Sequence, residues 1–177
     1  KGSLAPNSAI IKQSAATKRL LIHQGRAVVF EGLEDLANRI DRDDLDVTKD
    51  DDLVLKSIGP KGGPGMPEAG LIPIPKKLAR QGVKDMVRIS DARMSGTAFG
   101  TIILHVSPES YIGGPLSLVE NGDLISISLK NKSLDLLVDE DVLKQRKSDL
   151  KNNYLINDYK RGYGYIYQKH ILQAEEG

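Results

Sequence analysis

The sequence DMVRISDARMSGTAFGT occupies residues 85–101, and its pattern organises the rest of the chain. Apolar residues alternate before a polar loop, and a second apolar run begins at Ile102. This pattern predicts a loop held between two buried strands, with Gly96 as its freely bending point. Such a loop can hold Ser95 and Thr97 in fixed directions, because functional groups concentrate on loops braced by rigid elements. Taken alone, the stretch also fits a polar turn that closes a hairpin.

Composition and net charge exclude several classes of protein and of functional site. The 177 residues fit one domain with a buried core. The formal net charge is +1, from 25 basic and 24 acidic residues, so no overall field attracts nucleic acid or an anionic membrane. The sequence contains no membrane span and no signal peptide, and we expect a cytoplasmic protein. The absence of cysteine excludes disulfides, thiolate metal sites and a cysteine nucleophile.

Local patterns predict short strands and short helices along the chain. The predicted strands are residues 25–30, 53–55, 124–129 and 134–138, and the predicted helices are residues 32–40, 75–82 and 139–150. Residues 154–177 hold five of the six tyrosines, and Tyr163, Tyr165, Tyr167 and Ile171 could pack a terminal helix onto the body or onto a partner. With the strands on both sides of the central loop, the pattern predicts a strand-dominated barrel or sandwich with peripheral helices.

Two loops have unusual compositions. Residues 41–52 contain seven aspartates but lack the glycine and glutamate of a calcium-binding loop, so we predict a solvated acidic loop. Residues 59–68 contain four glycines and three prolines, which predicts a loop of defined shape. The position of Lys61 near its start rules out the order of a nucleotide-binding P-loop.

Several motifs resemble, in the same order, those of one enzyme family. They are Leu4–Asn7, Gly59–Glu68, Asp91–Thr97, His105–Glu109 followed by Gly113–Leu116, and Asn121–Asp123. Over nearly its whole length the chain resembles the C-terminal domain of the dihydroxy-acid and sugar-acid dehydratases. Residues 92–101 are more similar to the sugar-acid branch, the arabinonate and xylonate dehydratases, than to the enzymes of branched-chain amino-acid biosynthesis.

The resemblance implies a fold, a reaction and three site residues. The fold is a swivelling barrel of about eight strands flanked by short helices. The reaction is the loss of water from a small-molecule sugar acid to give a 2-keto-3-deoxy acid, with an iron-sulfur cluster and Mg²⁺ as cofactors. Ser95 matches the proposed base, Thr97 a substrate-binding residue, and Glu68 a ligand of the magnesium ion. A serine is a base only beside positive charge that stabilises its alkoxide, and magnesium prefers hard oxygen ligands.

Neighbouring residues have less defined roles. Asp91 and Arg93 either bind substrate or form a buried pair that fixes the loop, and we leave them out of the catalytic set. His105, in an apolar run, is predicted to be a hydrogen-bonded core residue.

The resemblance also implies partners outside this chain. We expect residues 1–177 to be a single C-terminal barrel domain, with the cluster ligands in an N-terminal domain of the same enzyme. The full enzyme is expected to be a homo-oligomer, a dimer or a tetramer, and the isolated chain to be inactive. Two alternatives remain: a dihydroxy-acid dehydratase of branched-chain amino-acid biosynthesis, and a non-catalytic binding or assembly module.

Overall fold

Seven strands form one mixed sheet in the computed structural model, which describes residues 1–153 and 159–177. The strands are β1 (Ser8–Ile11), β2 (Ile22–Phe30), β3 (Asp52–Leu55), β4 (Val87–Ser90), β5 (Ile102–Ser107), β6 (Leu124–Ser128) and β7 (Ser133–Leu136). Their order is β1-β5-β4-β3-β2-β6-β7. The α-helices are α1 (Leu33–Arg39), α2 (Lys76–Arg80), α3 (Glu140–Asn153) and α4 (Gly162–His170). Short 3₁₀ turns cover Gln13–Ala15, Lys18–Leu21, Ser110–Ile112 and Pro115–Leu118.

The middle of the sheet is parallel. β2, β3, β4 and β5 pair side by side in the same direction, and β1, β6 and β7 run antiparallel to their neighbours. Because β4 and β5 are parallel, residues 91–101 form a crossover connection, and the hairpin interpretation of this stretch is wrong. The predicted strands at residues 124–129 and 134–138 are confirmed as β6 and β7, which pair as a hairpin.

The N-terminal segment joins the two edges of the sheet. The Leu134 N–H in β7 donates to the Lys1 carbonyl at 3.0 Å, and the Leu4 N–H donates back to the Leu134 carbonyl at 3.2 Å. The same segment then continues into β1, which pairs with β5 at the other edge. The sheet is thereby curled towards a closed barrel, which confirms the predicted strand-dominated, barrel-like fold with short helices.

The sheet separates two apolar cores. In β2 and β3, Val29 and Val54 contribute to an inner core that also includes residues of β6 and β7. Their neighbours Phe30 and Leu55 contribute to an outer core beneath α1 and α2. Successive side chains of a strand point to opposite faces, so a strand buried on both faces is apolar throughout. The crossover connections of the parallel strands all lie over the outer core.

The structure corrects one loop prediction and leaves another outside its range. Asp51 and Asp52, at the end of the acidic run, are buried, so the run is not a fully solvated loop. The terminal helix predicted from the tyrosines is present as α4, whereas Tyr154 lies outside the described residues. None of the helices in the described part of the chain combines the length and apolarity that crossing a membrane requires.

Candidate active site

The crossover from β4 to β5 carries the two predicted hydroxyls. It leaves the carboxyl end of β4 and returns to the amino end of β5, with Ala92 and Ala98 packed into the outer core. Between these anchors, Ser95 Oγ lies 3.1 Å from Thr97 Oγ1, and the Thr97 N–H donates to Ser95 Oγ at 3.3 Å. Ser95 is partly exposed and Thr97 is exposed. The structure therefore pairs the two hydroxyls at an accessible position.

Arg93 connects this crossover to the Gly-Pro loop, residues 59–68, which carries Glu68. Arg93 Nη1 lies 2.8 Å from Glu68 Oε1, and Arg93 Nε donates to the Met66 carbonyl at 2.7 Å. Both charged side chains are close to half exposed. The buried Asp91–Arg93 pair that the sequence allowed is therefore not formed, because Arg93 faces Glu68 across the two loops.

Asp91 fixes the start of the serine loop, the crossover of residues 91–101 between β4 and β5. Its carboxylate is fully buried and accepts hydrogen bonds from the Ile58 N–H at 3.0 Å, the Ser110 N–H at 2.9 Å and Ser110 Oγ at 2.6 Å. Burial raises the pKa of Asp91, and these donors oppose that rise. Ile58 precedes the Gly-Pro loop and Ser110 follows β5, so one carboxylate ties three segments together.

Glu109 performs the same task for the Gly-Pro loop. It is buried, and its carboxylate oxygens accept the Lys61 N–H at 3.0 Å and the Gly62 N–H at 2.9 Å. A Cβ on Gly59 would lie 2.6 Å from Glu109 Oε2, so only glycine permits this approach. Burial raises the pKa of Glu109. Sequence reasoning placed Glu109 in a family motif but gave it no role, because a glutamate in a polar loop carries no sign of burial.

His105 supports the serine loop as a hydrogen-bond acceptor. The Met94 N–H donates to His105 Nε2 at 2.8 Å. Burial and the charge of Arg93 lower the pKa of His105, which favours the neutral imidazole that this bond requires. The predicted hydrogen bond is confirmed, whereas the predicted place in the core is not, because His105 is only partly buried and belongs to neither apolar core.

The return limb of the loop bends at Gly100. Gly100 has a φ of +91°, and a Cβ there would lie 2.1 Å from Arg88 Nη2, whereas a Cβ on Gly96 would meet no atom within 4 Å. The chain also turns at Gly96, as predicted, with the Ala98 N–H donating to the Ser95 carbonyl at 3.2 Å, but Gly96 lacks the positive φ that makes glycine necessary at Gly100. Gly96 offers its carbonyl to Lys12 Nζ at 3.1 Å, which places a lysine, missed by sequence reasoning, beside the hydroxyl pair.

Of the two cofactors that the resemblance implies, the side chains of this chain fit magnesium in part and the iron-sulfur cluster not at all. Glu68 supplies a half-exposed carboxylate, and magnesium often takes only one or two carboxylates from a protein. Among the described residues, no three histidine, cysteine, aspartate or glutamate side chains cluster in a way that could hold a metal ion. The chain has no cysteine, so it offers no thiolate to an iron-sulfur cluster. Glu68 therefore offers one carboxylate of the kind that a magnesium ion binds, and the described residues alone do not form a complete metal site.

Comparison with known proteins gives one consistent result. Residues 1–177 match the family model described as dihydroxy-acid/6-phosphogluconate dehydratase, C-terminal. An L-arabonate dehydratase of Azospirillum brasilense is 49% identical over 181 residues, and an L-arabinonate dehydratase of Rhizobium leguminosarum bv. trifolii is 45% identical over 177 residues; both alignments cover 100% of this chain. A dihydroxy-acid dehydratase of Methanothrix thermoacetophila is 47% identical over 149 residues, or 84% of the chain. The chain spans 31%, 30% and 26% of the lengths of these three relatives, respectively.

Proposed function

Because the chain belongs to the dihydroxy-acid/6-phosphogluconate dehydratase family as its C-terminal domain, we propose that it supplies the proton-abstracting side of the active site of a sugar-acid dehydratase. The proposed substrate is an aldonate such as arabinonate or xylonate, and the proposed product is a 2-keto-3-deoxy acid. The names of the two arabinonate dehydratases support this choice of substrate class.

The proposed reaction is an elimination of water. Ser95 Oγ, in its alkoxide form, takes the C2 proton and becomes a neutral hydroxyl, while the electron pair of the broken C2–H bond forms the C2–C3 double bond. The C3–O bond breaks, and the hydroxyl leaves as water after taking up a proton. The resulting enol becomes the keto acid by proton transfer. Thr97, 3.1 Å from Ser95, is positioned to hold a substrate hydroxyl beside the base.

A serine acts as a base only where its alkoxide is stabilised by positive charge. This chain places Lys12 Nζ on the carbonyl of Gly96, between Ser95 and Thr97, and Arg93 two positions before Ser95, so two basic side chains belong to or contact the same loop. An iron-sulfur cluster and Mg²⁺, when bound, would supply Lewis acidity at the departing C3 hydroxyl and at the C2 oxygen. Glu68 is the residue of this chain that would hold the magnesium ion, and its pairing with Arg93 keeps its carboxylate near the serine loop.

The observation that carries the proposal is the Ser95–Thr97 hydroxyl pair, held on a crossover that Asp91, His105 and Arg93 all brace. Such bracing agrees with catalysis, which depends on fixed directions for reacting groups. A plain surface turn would not need a fully buried carboxylate beneath it.

The test is Ser95→Ala in the full-length protein. We expect turnover of the aldonate to fall by about 10² to 10⁴-fold, the usual contribution of a positioned acid or base, while bound iron and magnesium stay unchanged. Ser148→Ala, on the exposed surface of α3, is the matched control and should keep full turnover. Near-normal turnover of Ser95→Ala would remove Ser95 as the base.

A branched-chain dihydroxy-acid substrate is the second candidate, favoured by the 47% identity to the Methanothrix protein. Rates with arabinonate, xylonate and dihydroxyisovalerate separate the two. A preference for dihydroxyisovalerate would change the proposed substrate but keep the role of Ser95, whereas the absence of turnover with all three would favour a non-catalytic module.

A further inference from the structure

We propose that Gln173 is a positioning residue for the loop that carries Glu68, acting through Glu109. The inference rests on the proposed function of Glu68 and extends it to the C-terminal segment, which follows α4. Gln173 Nε2 donates to Glu109 Oε1 at 2.7 Å, and Gln173 Oε1 accepts the Glu109 N–H at 2.9 Å. One amide side chain therefore holds both the carboxylate and the backbone of Glu109.

Glu109 transmits this constraint to the loop. The same carboxylate accepts the N–H groups of Lys61 and Gly62, and it is buried against Gly59. A buried carboxylate that loses one donor must find another or shift, because an unmet acceptor in the interior is costly. The donors within reach are those of the Gly-Pro loop, so loss of the Gln173 amide is expected to disturb the loop directly.

The C-terminal segment contacts this loop at a second point. The Gly65 N–H, three residues before Glu68, donates to Tyr167 Oη in α4 at 2.9 Å. Glu175 fixes the segment independently of Gln173, because it accepts from Asn7 Nδ2 at 2.6 Å and from Ser107 Oγ. Removal of the Gln173 amide should therefore leave the segment docked while it releases Glu109.

The experiment uses the full-length protein with Gln173→Ala and the control Gln145→Ala, an exposed glutamine on α3. Hydrogen exchange of the peptide that spans residues 59–68 is measured together with the activation constant for Mg²⁺. We expect faster exchange in that peptide and an activation constant raised about 10-fold, the low end for loss of a supporting contact at a metal site. We expect turnover at saturating Mg²⁺ to stay within about twofold of the parent protein.

Gln173→Glu gives a second readout that general destabilisation would not produce. Its carboxylate would face that of Glu109, and two adjacent carboxylates share one proton when the pH is low enough. We expect fast exchange of residues 59–68 at about pH 8 and recovery towards the parent rate near pH 5, a recovery that Gln173→Ala lacks. The other titratable groups facing the pair are Asp91, which acts on Glu109, and Glu176, which accepts the Gln173 N–H.

A Glu68→Gln variant separates this inference from the proposed function. If Glu68→Gln raises the Mg²⁺ activation constant and Gln173→Ala leaves it unchanged, the positioning role of Gln173 is overturned, even where loop exchange is faster. If Glu68→Gln itself leaves the constant unchanged, the assignment of Glu68 fails, and the positioning role of Gln173 falls with it. Unchanged loop exchange in both Gln173 variants also overturns the inference.

Discussion

Buried carboxylates occur at both ends of the parallel strands, but different kinds of groups stabilise them at the two ends. At the carboxyl ends, Asp91 and Glu109 are held by N–H groups, by a hydroxyl and by an amide. At the amino end of β3, Asp52 is fully buried and faces the imidazole of His23, whose Nε2 lies 3.0 Å from Asp52 Oδ1. Asp91 and Glu109 tie loops together, whereas Asp52 in β3 faces a titratable residue of β2.

The difference has a consequence for the candidate site. Backbone N–H groups and hydroxyls keep their donors at every physiological pH, so loops held by Asp91 and Glu109 keep their shape while these carboxylates are ionised. The partner of Asp52 is an imidazole with a raised pKa, and it loses its charge as the pH rises. A rise in pH therefore removes a charged partner at the amino end of the sheet but removes none of the donors that hold Asp91 and Glu109.

Asp91→Ala is expected to have the largest effect at the carboxyl ends of the strands. It removes the acceptor of the buried Ile58 N–H and breaks two hydrogen bonds with Ser110, and losing the partner of a buried group costs about 1 to 3 kcal/mol. We expect the free energy of unfolding to fall by about 3 kcal/mol or more, as measured by chemical denaturation.

Asp44→Ala is the control, because Asp44 pairs with Arg42 on the exposed acidic loop. It should leave the unfolding transition unchanged, since exposed ion pairs contribute little. A loss in Asp91→Ala as small as in this control would mean that the three donors find water instead, and that the carboxyl-end network does not hold the loops.

The next largest effect is expected in the last residues of the serine loop. There Asp85 is stabilised both by a backbone N–H and by a charged side chain. Asp85 accepts the Thr101 N–H at 3.0 Å and pairs with Arg88 at 2.7 Å. Gly100→Ala would force a side chain into a φ of +91° and against Arg88. We expect it to lower the free energy of unfolding by about 2 kcal/mol, from the cost of left-handed backbone and the displaced Arg88.

Gly96→Ala in the same loop is the matched control, since its Cβ would meet no atom within 4 Å. Thermal unfolding of the two variants should therefore differ clearly. Equal losses would mean that the loop requires glycine at position 96 as much as at position 100.

Gly96 and Gly100 show which features of the fold a local sequence pattern can predict and which it cannot. Alternating apolar runs predicted most strands, and ordered motifs predicted the family, because both depend on local pattern. Which of the two positions requires glycine depends on Arg88 and Asp85, which reach Gly100 through tertiary packing. The roles of Glu109 and Gln173 were missed for a related reason: their bond joins residues 64 positions apart, and no local pattern reports such a contact.

His23 is the residue whose importance the sequence least revealed, and it yields the smallest expected effect. The close contact with the Asp52 carboxylate is the main cause that raises the pKa of His23 above 6.5, and burial raises the pKa of Asp52 above 3.8. A raised pKa stabilises the fold while the group is protonated. The His23 contribution is therefore complete below pH 6.5 and is lost as the pH rises through the raised value, which leaves the buried Asp52 without a charged partner.

We expect the stability of the parent protein to decrease from pH 6.5 upwards, and we expect His23→Gln to remove that part of the decrease, because an amide can donate to Asp52 without titrating. His170→Gln, at the exposed end of α4, is the control and should keep the parent slope. Unfolding curves between about pH 6 and pH 9 measure the difference. If the parent and His23→Gln follow the same slope, Asp52 is held by groups other than His23, and the two ends of the sheet do not differ in the way proposed.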